Sequence, residues 1–348
     1  MHSTRSGGAA DALIESSADG LRCGLCSCFV AGMRGRSTEI VGDQAYFTGS
    51  TAELQKSIGG GQLDACGSLV IEGKLLAVPP EIGRLTQLRE LILDTDTLQT
   101  IDAGIFACTQ LVKLVVLSNQ IKELPAGGWR EMAALEQFIV TGSRALRELP
   151  DDLGDAPLIG GEFDLTPQIK LTALPRSFGR LARVTILRLP HKVAAPPEIA
   201  GMTGLRELRV RNVATLPEDI GALQELRLLD ACESPITALP PSIGGAGSLR
   251  ALGLSRTELT RLPDSVCELA ALRDLDLIQT PIVELPEAIG RLGLARLRLQ
   301  GTRISRLPDS LAAPAGDLRV YLPRDQRAAL EASSAHVLAA LGRRCVFE

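Results

Sequence analysis

Apolar positions along this chain fall in a frame that repeats. In Leu272–Ser310 leucine is followed by two variable residues, leucine, one variable residue and leucine, then Thr, Leu-Pro and Ile-Gly, and the frame begins again. Leu275 and Leu277 stand two apart, so both point to one face of a short strand, with Asp274, Asp276 and Ile278 on the other. The return arm "LPEAIGRL" then buries Leu285, Ile289 and Leu292 behind that strand. The Leu-Pro step recurs at prolines 79, 125, 150, 175, 196, 217, 240, 263, 286 and 308, with Asp102 in the proline slot of "TIDAGIF". No single unit of this length covers its own apolar faces, so neighbours must stack on one another. The pattern predicts strands aligned into one parallel sheet, with short helical or 3-10 segments behind it.

A repeat of 20–29 residues built on L-x-x-L-x-L is the signature of a leucine-rich-repeat solenoid. The expected fold class is therefore α/β: a horseshoe of about eleven repeats over residues 67–322, with its parallel sheet on the concave side. One slot departs from the commonest repeat. Where asparagine usually follows the strand, this chain has Ser143, Ser234, Thr257, Thr280 and Thr302, with Asn119 as the exception. A hydroxyl there still bonds turn backbone, with fewer donors than an amide. "LPxxIGxL" with Thr or Ser in that slot resembles the leucine-rich-repeat effectors that plant-pathogenic bacteria inject by type III secretion. More distantly it is similar to the Ras-group repeat proteins of eukaryotes, which generally keep the asparagine. The resemblance covers about residues 67–322 and implies a protein that binds other proteins.

Outside the repeats the pattern changes. Residues 1–50 are dominated by Ser, Gly and Ala without periodicity, and read as a largely disordered segment; the resemblance to secreted effectors implies that it can serve as a secretion signal. Residues 51–66 form an N-terminal cap, because "STAELQKSI" starts a helix with Ser50 as N-cap and Glu53 completing a capping box. Residues 323–348 supply a C-terminal capping helix that seals the last repeat with Ala329, Leu330, Val337, Leu338 and Leu341. The caps are thus helical at both ends.

Composition narrows the function. Hydrophobic residues make up 45% of the chain but aromatics only 3%, so the core is aliphatic. A net charge of −4 marks no nucleic-acid binder, and no apolar run is long enough to span a bilayer. The eight cysteines form no even disulfide framework. Cys23, Cys26 and Cys28 cluster beside Leu25, Phe29 and Val30, ahead of Arg34 and Arg36. They are a thiol-bearing tail, acylation sites giving peripheral membrane contact, or half of a metal site whose second pair is missing. The three histidines, His2, His191 and His336, assemble no recognisable catalytic pair, and no phosphate-cradling loop is present. The reading is a non-enzyme without cofactor or metal.

Function must then lie in the variable strand positions. Along the concave face these read Val70, Ile92, Val115, Ile139, Asp164, Arg188, Arg209, Asp230, Gly253, Asp276, Arg298 and Arg319. The first four, with Leu117 beside them, predict an apolar stripe for a partner, against the plain alternative that Val and Ile favour strands whatever they face. Arg188, Arg209 and Arg211 form a basic cluster that either pairs with Asp164 and Asp230 or is held for a partner. The expectation is a monomeric protein-interaction module that occupies a host protein in the host cytoplasm after type III secretion. The alternatives are a signalling scaffold of its own cell and a ubiquitin-ligase-like effector that lacks or borrows its catalytic domain.

Overall fold

The computed structural model describes residues 38–168, 170–314 and 317–348. Strands β1 (Thr38–Val41) and β2 (Gln44–Thr48) form an antiparallel hairpin, and helix α1 (Thr51–Gly59) follows. The repeats then give β3 (Ser68–Glu72), the two-residue β4 (Ala77–Val78), β5 (Glu90–Asp94), β6 (Thr100–Ile101), β7 (Lys113–Leu117), β8 (Gln137–Thr141), β9 (Gly160–Asp164) and β10 (Arg183–Arg188). Shorter strands continue: β11 (Glu207–Arg209), β12 (Leu228–Asp230), β13 (Ala251–Gly253), β14 (Asp274–Asp276), β15 (Arg296–Arg298) and β16 (Arg319–Leu322). Helices α2 (Arg327–Ser333) and α3 (Ala335–Leu341) and strand β17 (Cys345–Phe347) close the stack.

Among the described residues all pairings after the hairpin are parallel, and the repeat strands give alternate apolar residues to the core, mostly leucine but Phe138, Val140 and Phe163 on β8 and β9. Leu69, Leu91, Leu187, Leu208 and Leu297 are fully buried, one rung above another. Behind them run 3-10 segments such as Pro80–Arg84 and Pro241–Gly245, where proline at the first position presets the backbone angle. The glycine of Ile-Gly has a packing cause. A Cβ on Gly221 would overlap the Ser242 carbonyl oxygen of the next segment, and one on Gly290 would overlap that of Ser310.

The single sheet expected from the repeat is in fact two. One has six strands in the order β1-β2-β3-β5-β7-β8, and the other runs through nine from β9 to β17. β9 opens on Gly160-Gly161, with Gly161 at φ +78°, and the β9–β10 register slips between Val184 and Ile186. The two repeats around this join are also the longest, since prolines 125, 150 and 175 are 25 residues apart. Continuity passes to the core: ring centroids of Phe106, Trp129, Phe138, Phe163 and Phe178 follow one another at 5.6, 4.9, 5.9 and 5.3 Å. The chain's scarce aromatics are concentrated where the sheet is interrupted.

The hydroxyl slot is occupied as expected in the later repeats and differently in earlier ones. Thr257, Thr280 and Thr302 are buried and donate to the carbonyl three residues back, at 2.7–2.8 Å. Ser143 instead donates to Ile121 O of the preceding repeat, 2.6 Å away. Asn119 is no exception to the series. Ser118 is the buried residue and donates to Leu98 O at 2.9 Å, while Asn119 lies exposed.

In consecutive later repeats the position seven before the proline lies in the left-handed region: Glu233 (φ 57°), Arg256 (55°), Gln279 (56°) and Gly301 (71°). A side chain there costs about 1 kcal/mol relative to glycine. Gln279→Gly is therefore expected to raise the melting temperature by a few degrees in a thermal scan, despite removing the 2.9 Å bond from Arg256 Nε.

Both ends differ from the sequence reading. The capping box of α1 is present, with Ser50 Oγ taking the Glu53 N–H and the Glu53 carboxylate taking the Ser50 N–H. Residues 38–48, however, belong to the folded body rather than to a disordered segment. β2 pairs with β3 along its length, and Ala45 and Phe47 are fully buried. At the other end the single expected helix is broken at Ser334, whose ψ of 29° at φ −138° leaves the helical region. Its buried Oγ accepts the Leu307 N–H at 2.8 Å, tying the break to the last repeat. Leu330, Val337 and Leu341 seal that repeat and Leu338 packs half-buried against it, but Ala329 faces outward. Beyond them β17 adds a last strand to the sheet.

Candidate protein-binding surface

On the six-stranded sheet, strand alternation and register place Tyr46, Val70, Ile92, Val115 and Ile139 in one row across five adjacent strands. At about 4.8 Å per strand, the row is about 19 Å long. Four of the five are the predicted stripe; Tyr46 comes from the hairpin. The stripe is less open than alternation alone implies. Val70 and Val115 are only 7% and 8% exposed, each a small side chain between larger neighbours, while Tyr46, Ile92 and Ile139 are half-buried. On one side the row is flanked by Thr48, Glu72, Asp94, Leu117 and Thr141, with Leu117 half-buried. On the other, Ser68 donates to Glu90, which bonds Lys113 at 2.8 Å. The arrangement is an apolar strip with hydrogen-bonded polar margins.

The nine-stranded sheet presents charge instead. Arg188 and Arg209 are in register on adjacent strands, with Arg211 beyond them. All three are engaged within the face. Arg188 bonds Glu162 and lies 3.1 Å from Glu207 and 3.8 Å from Asp164. Arg209 bonds Glu207 at 2.9 Å, and Arg211 lies 3.3 Å from Glu233 and 3.8 Å from Asp230. The closest partners are thus glutamates rather than the flanking aspartates: Glu162 on the neighbouring β9, Glu207 on Arg209's own strand and Glu233 just beyond β12; exposed pairs of this kind contribute about 0–1 kcal/mol each. The end of the charged series also shifts. Register puts Tyr321, not Arg319, in line with Arg298, and Arg319 lies beside Arg296. In "LRVYL" two frames fit the leucine spacing, and the structure uses the second.

The thiols are held protonated by burial. Cys108 and Cys232 are each pushed up to about 11, and Cys66, Cys267 and Cys345 are raised as well. For Cys232 desolvation dominates, with Asp230 adding to it and Ser255 opposing it. Its alkylation by iodoacetamide should therefore stay slow at pH 8 and accelerate as pH rises toward 11, followed by mass spectrometry of the labelled peptide. His191 is exposed, and His336, also exposed, stands 3.2 Å from Asp309. Among the described residues no group of three or more His, Cys, Asp or Glu is placed to hold a metal ion, and no helix is long and apolar enough to cross a membrane. Cys23, Cys26, Cys28 and His2 lie outside the described residues.

Comparison with solved structures defines the class. The chain is similar to the leucine-rich repeat domain of APL1B at 15% identity, covering 95% of this chain and 92% of that one with a TM-score of 0.56. It is similar to an internalin, InlF of Listeria monocytogenes, at 14% identity, covering 86% and 94% with a TM-score of 0.51. A leucine-rich-repeat protein of Leptospira interrogans aligns at 22% identity over 71% of this chain and 75% of that one, with a TM-score of 0.45. No protein-family model matches the chain, and no curated protein matches it. The fold is a leucine-rich-repeat solenoid.

Proposed function

We propose that this chain is a protein-interaction module that holds a partner protein on its concave face, with the apolar row as the principal contact. The observation that carries this reading is the row itself: one aromatic and four β-branched side chains in register across five strands. Strand propensity favours Val, Ile and Tyr alike; what favours binding is that Tyr46 adds to the row a half-buried ring, an amphipathic anchor of the kind enriched at binding hot spots. The concave face, apolar on the six-stranded sheet and charged on the nine-stranded one, suits an extended partner surface.

Within this reading the chain acts as a type III effector in the host cytoplasm. Support comes from the resemblance of its "LPxxIGxL" repeats, with Thr or Ser after the strand, to secreted bacterial effectors. A fusion of residues 1–50 to an enzymatic reporter tests delivery: translocation that depends on a working secretion apparatus supports it, and retention in the bacterium rejects it. Binding is tested separately by substituting Ile92→Asp and Ile139→Asp together. Both side chains are half-buried, so the fold should persist with modest loss, whereas Val115→Asp would place a carboxylate at a buried position. Capture of a partner should weaken at least about tenfold, about 1.4 kcal/mol.

A further inference from the structure

We propose that the concave face carries a second recognition site, a trough over β13 that receives a cationic side chain, arginine or lysine, projecting from the bound protein. The adjacent β12 and β14 put Leu228, Asp230, Asp274 and Asp276 on this face, with arginines one strand further out on each side, but β13 contributes only Ala251 and Gly253. The result is a depression of about 240 Å³ between two ion-paired clusters.

Register decides what fits it. Arg209, Asp230, Gly253, Asp276 and Arg298 lie in one row on five adjacent strands. Their charges read plus, minus, none, minus, plus, and a cation over Gly253 completes the alternation. Both aspartates flank the glycine directly. Asp276 meets Arg298 at 3.2 Å on the strand beyond, and Asp274 likewise holds Arg296. Asp230 lies 3.8 Å from Arg211 and accepts the Cys232 N–H at 3.1 Å, while Arg209 turns to Glu207. A carboxylate offers about four acceptor directions, so these contacts leave capacity toward the trough. The floor is uncharged, formed by Ala251, the Gly253 backbone and the protonated Cys232 thiol. It suits the aliphatic stem of arginine or lysine beneath a charged head. Arg209, Arg296 and Arg298 also line the trough, but register sets them two strands from Gly253 and the aspartates one, so an anionic group over the glycine would meet like charges first.

The inference rests on the concave face being the binding face, but not on the apolar row, so either can fail without the other. The test uses the full chain and the probe acetyl-Gly-Arg-Gly-amide, with the citrulline peptide as an uncharged control of the same shape. Methyl NMR should show the arginine peptide shifting the Leu228 and Ala251 methyls, which face the trough, selectively at millimolar concentration, and the citrulline peptide binding about tenfold more weakly. A second variant needs no ligand. Gly253 is not in the left-handed region, and a Cβ there would meet Cys232 Sγ at 3.2 Å and Asp230 Oδ1 at 3.4 Å, so a new side chain enters the trough with a small adjustment. Gly253→Arg should melt higher than Gly253→Gln, lose that advantage in high salt, and abolish the peptide-induced shifts. Equal shifts from both peptides, shifts scattered over other acidic positions, no shifts, or a Gly253→Arg variant no more stable than Gly253→Gln would each overturn the proposal.

Discussion

Truncating Trp129 to alanine lowers stability by about 3–5 kcal/mol, the range for removing a large buried aromatic side chain. The indole is 1% exposed, donates its Nε1–H to Pro125 O at 2.8 Å, and lies between Phe106 and Phe138. These rings carry the core across the join between β8 and β9, where the ladder of strand hydrogen bonds is interrupted and isolated bonds cross, among them Gly160 N–H to Glu136 O at 3.0 Å and the buried Gln168 Nε2–H to Val140 O at 2.9 Å. A cavity here weakens the coupling between the two sheets as well as local packing. Denaturant unfolding monitored by circular dichroism should show the loss and a less cooperative transition. A cooperative transition with less than about 1 kcal/mol of destabilisation would mean that the join is held elsewhere.

A chain that begins at Ser50 should be less stable than one that begins at Thr38 by at least the cost of one buried phenylalanine, about 3–5 kcal/mol. The hairpin covers the open edge of β3, pairing with it from Gln44–Ser68 to Thr48–Glu72, and it buries Phe47 against the first repeat. Without it, α1 alone faces the end of the core and β3 becomes an unprotected edge, which invites association between chains. Phe47→Ala in the full chain should give a loss in the same range, by thermal unfolding. Equal melting of the two truncated chains would place the true N-terminal cap at α1.

Much of this architecture is legible in the sequence because solenoid packing is periodic. Each repeat meets the same environment, so the leucine frame reports strand, face and core together. Legibility fails where a residue answers to a single local circumstance. "QAYFT" alternates correctly for a strand, but five residues after a Ser- and Gly-rich segment carry little weight without the partner strand beside them. The sheet interruption follows from backbone angles at Gly160-Gly161 and a register slip, neither of which changes the leucine frame. Asn119 and Ser118 compete for one slot, and the smaller side chain takes the buried position. For the surface, four of the five residues in the apolar row could be identified from alternation. Their exposure could not, since it depends on the size of lateral neighbours. The trough over β13 was visible only as two small residues, and its meaning comes from the aspartates that register sets on either side.

The apolar row is the contact proposed to hold a partner. Host-cell lysate passed over the full chain, its Ile92→Asp/Ile139→Asp variant and an Arg303→Glu control, with retained proteins quantified by mass spectrometry, tests this most directly. Arg303 is exposed and lies outside the concave strands. A defined partner should be retained by the full chain and by the control, and reduced at least about tenfold with the double variant. Equal retention by a double variant that remains folded would contradict it.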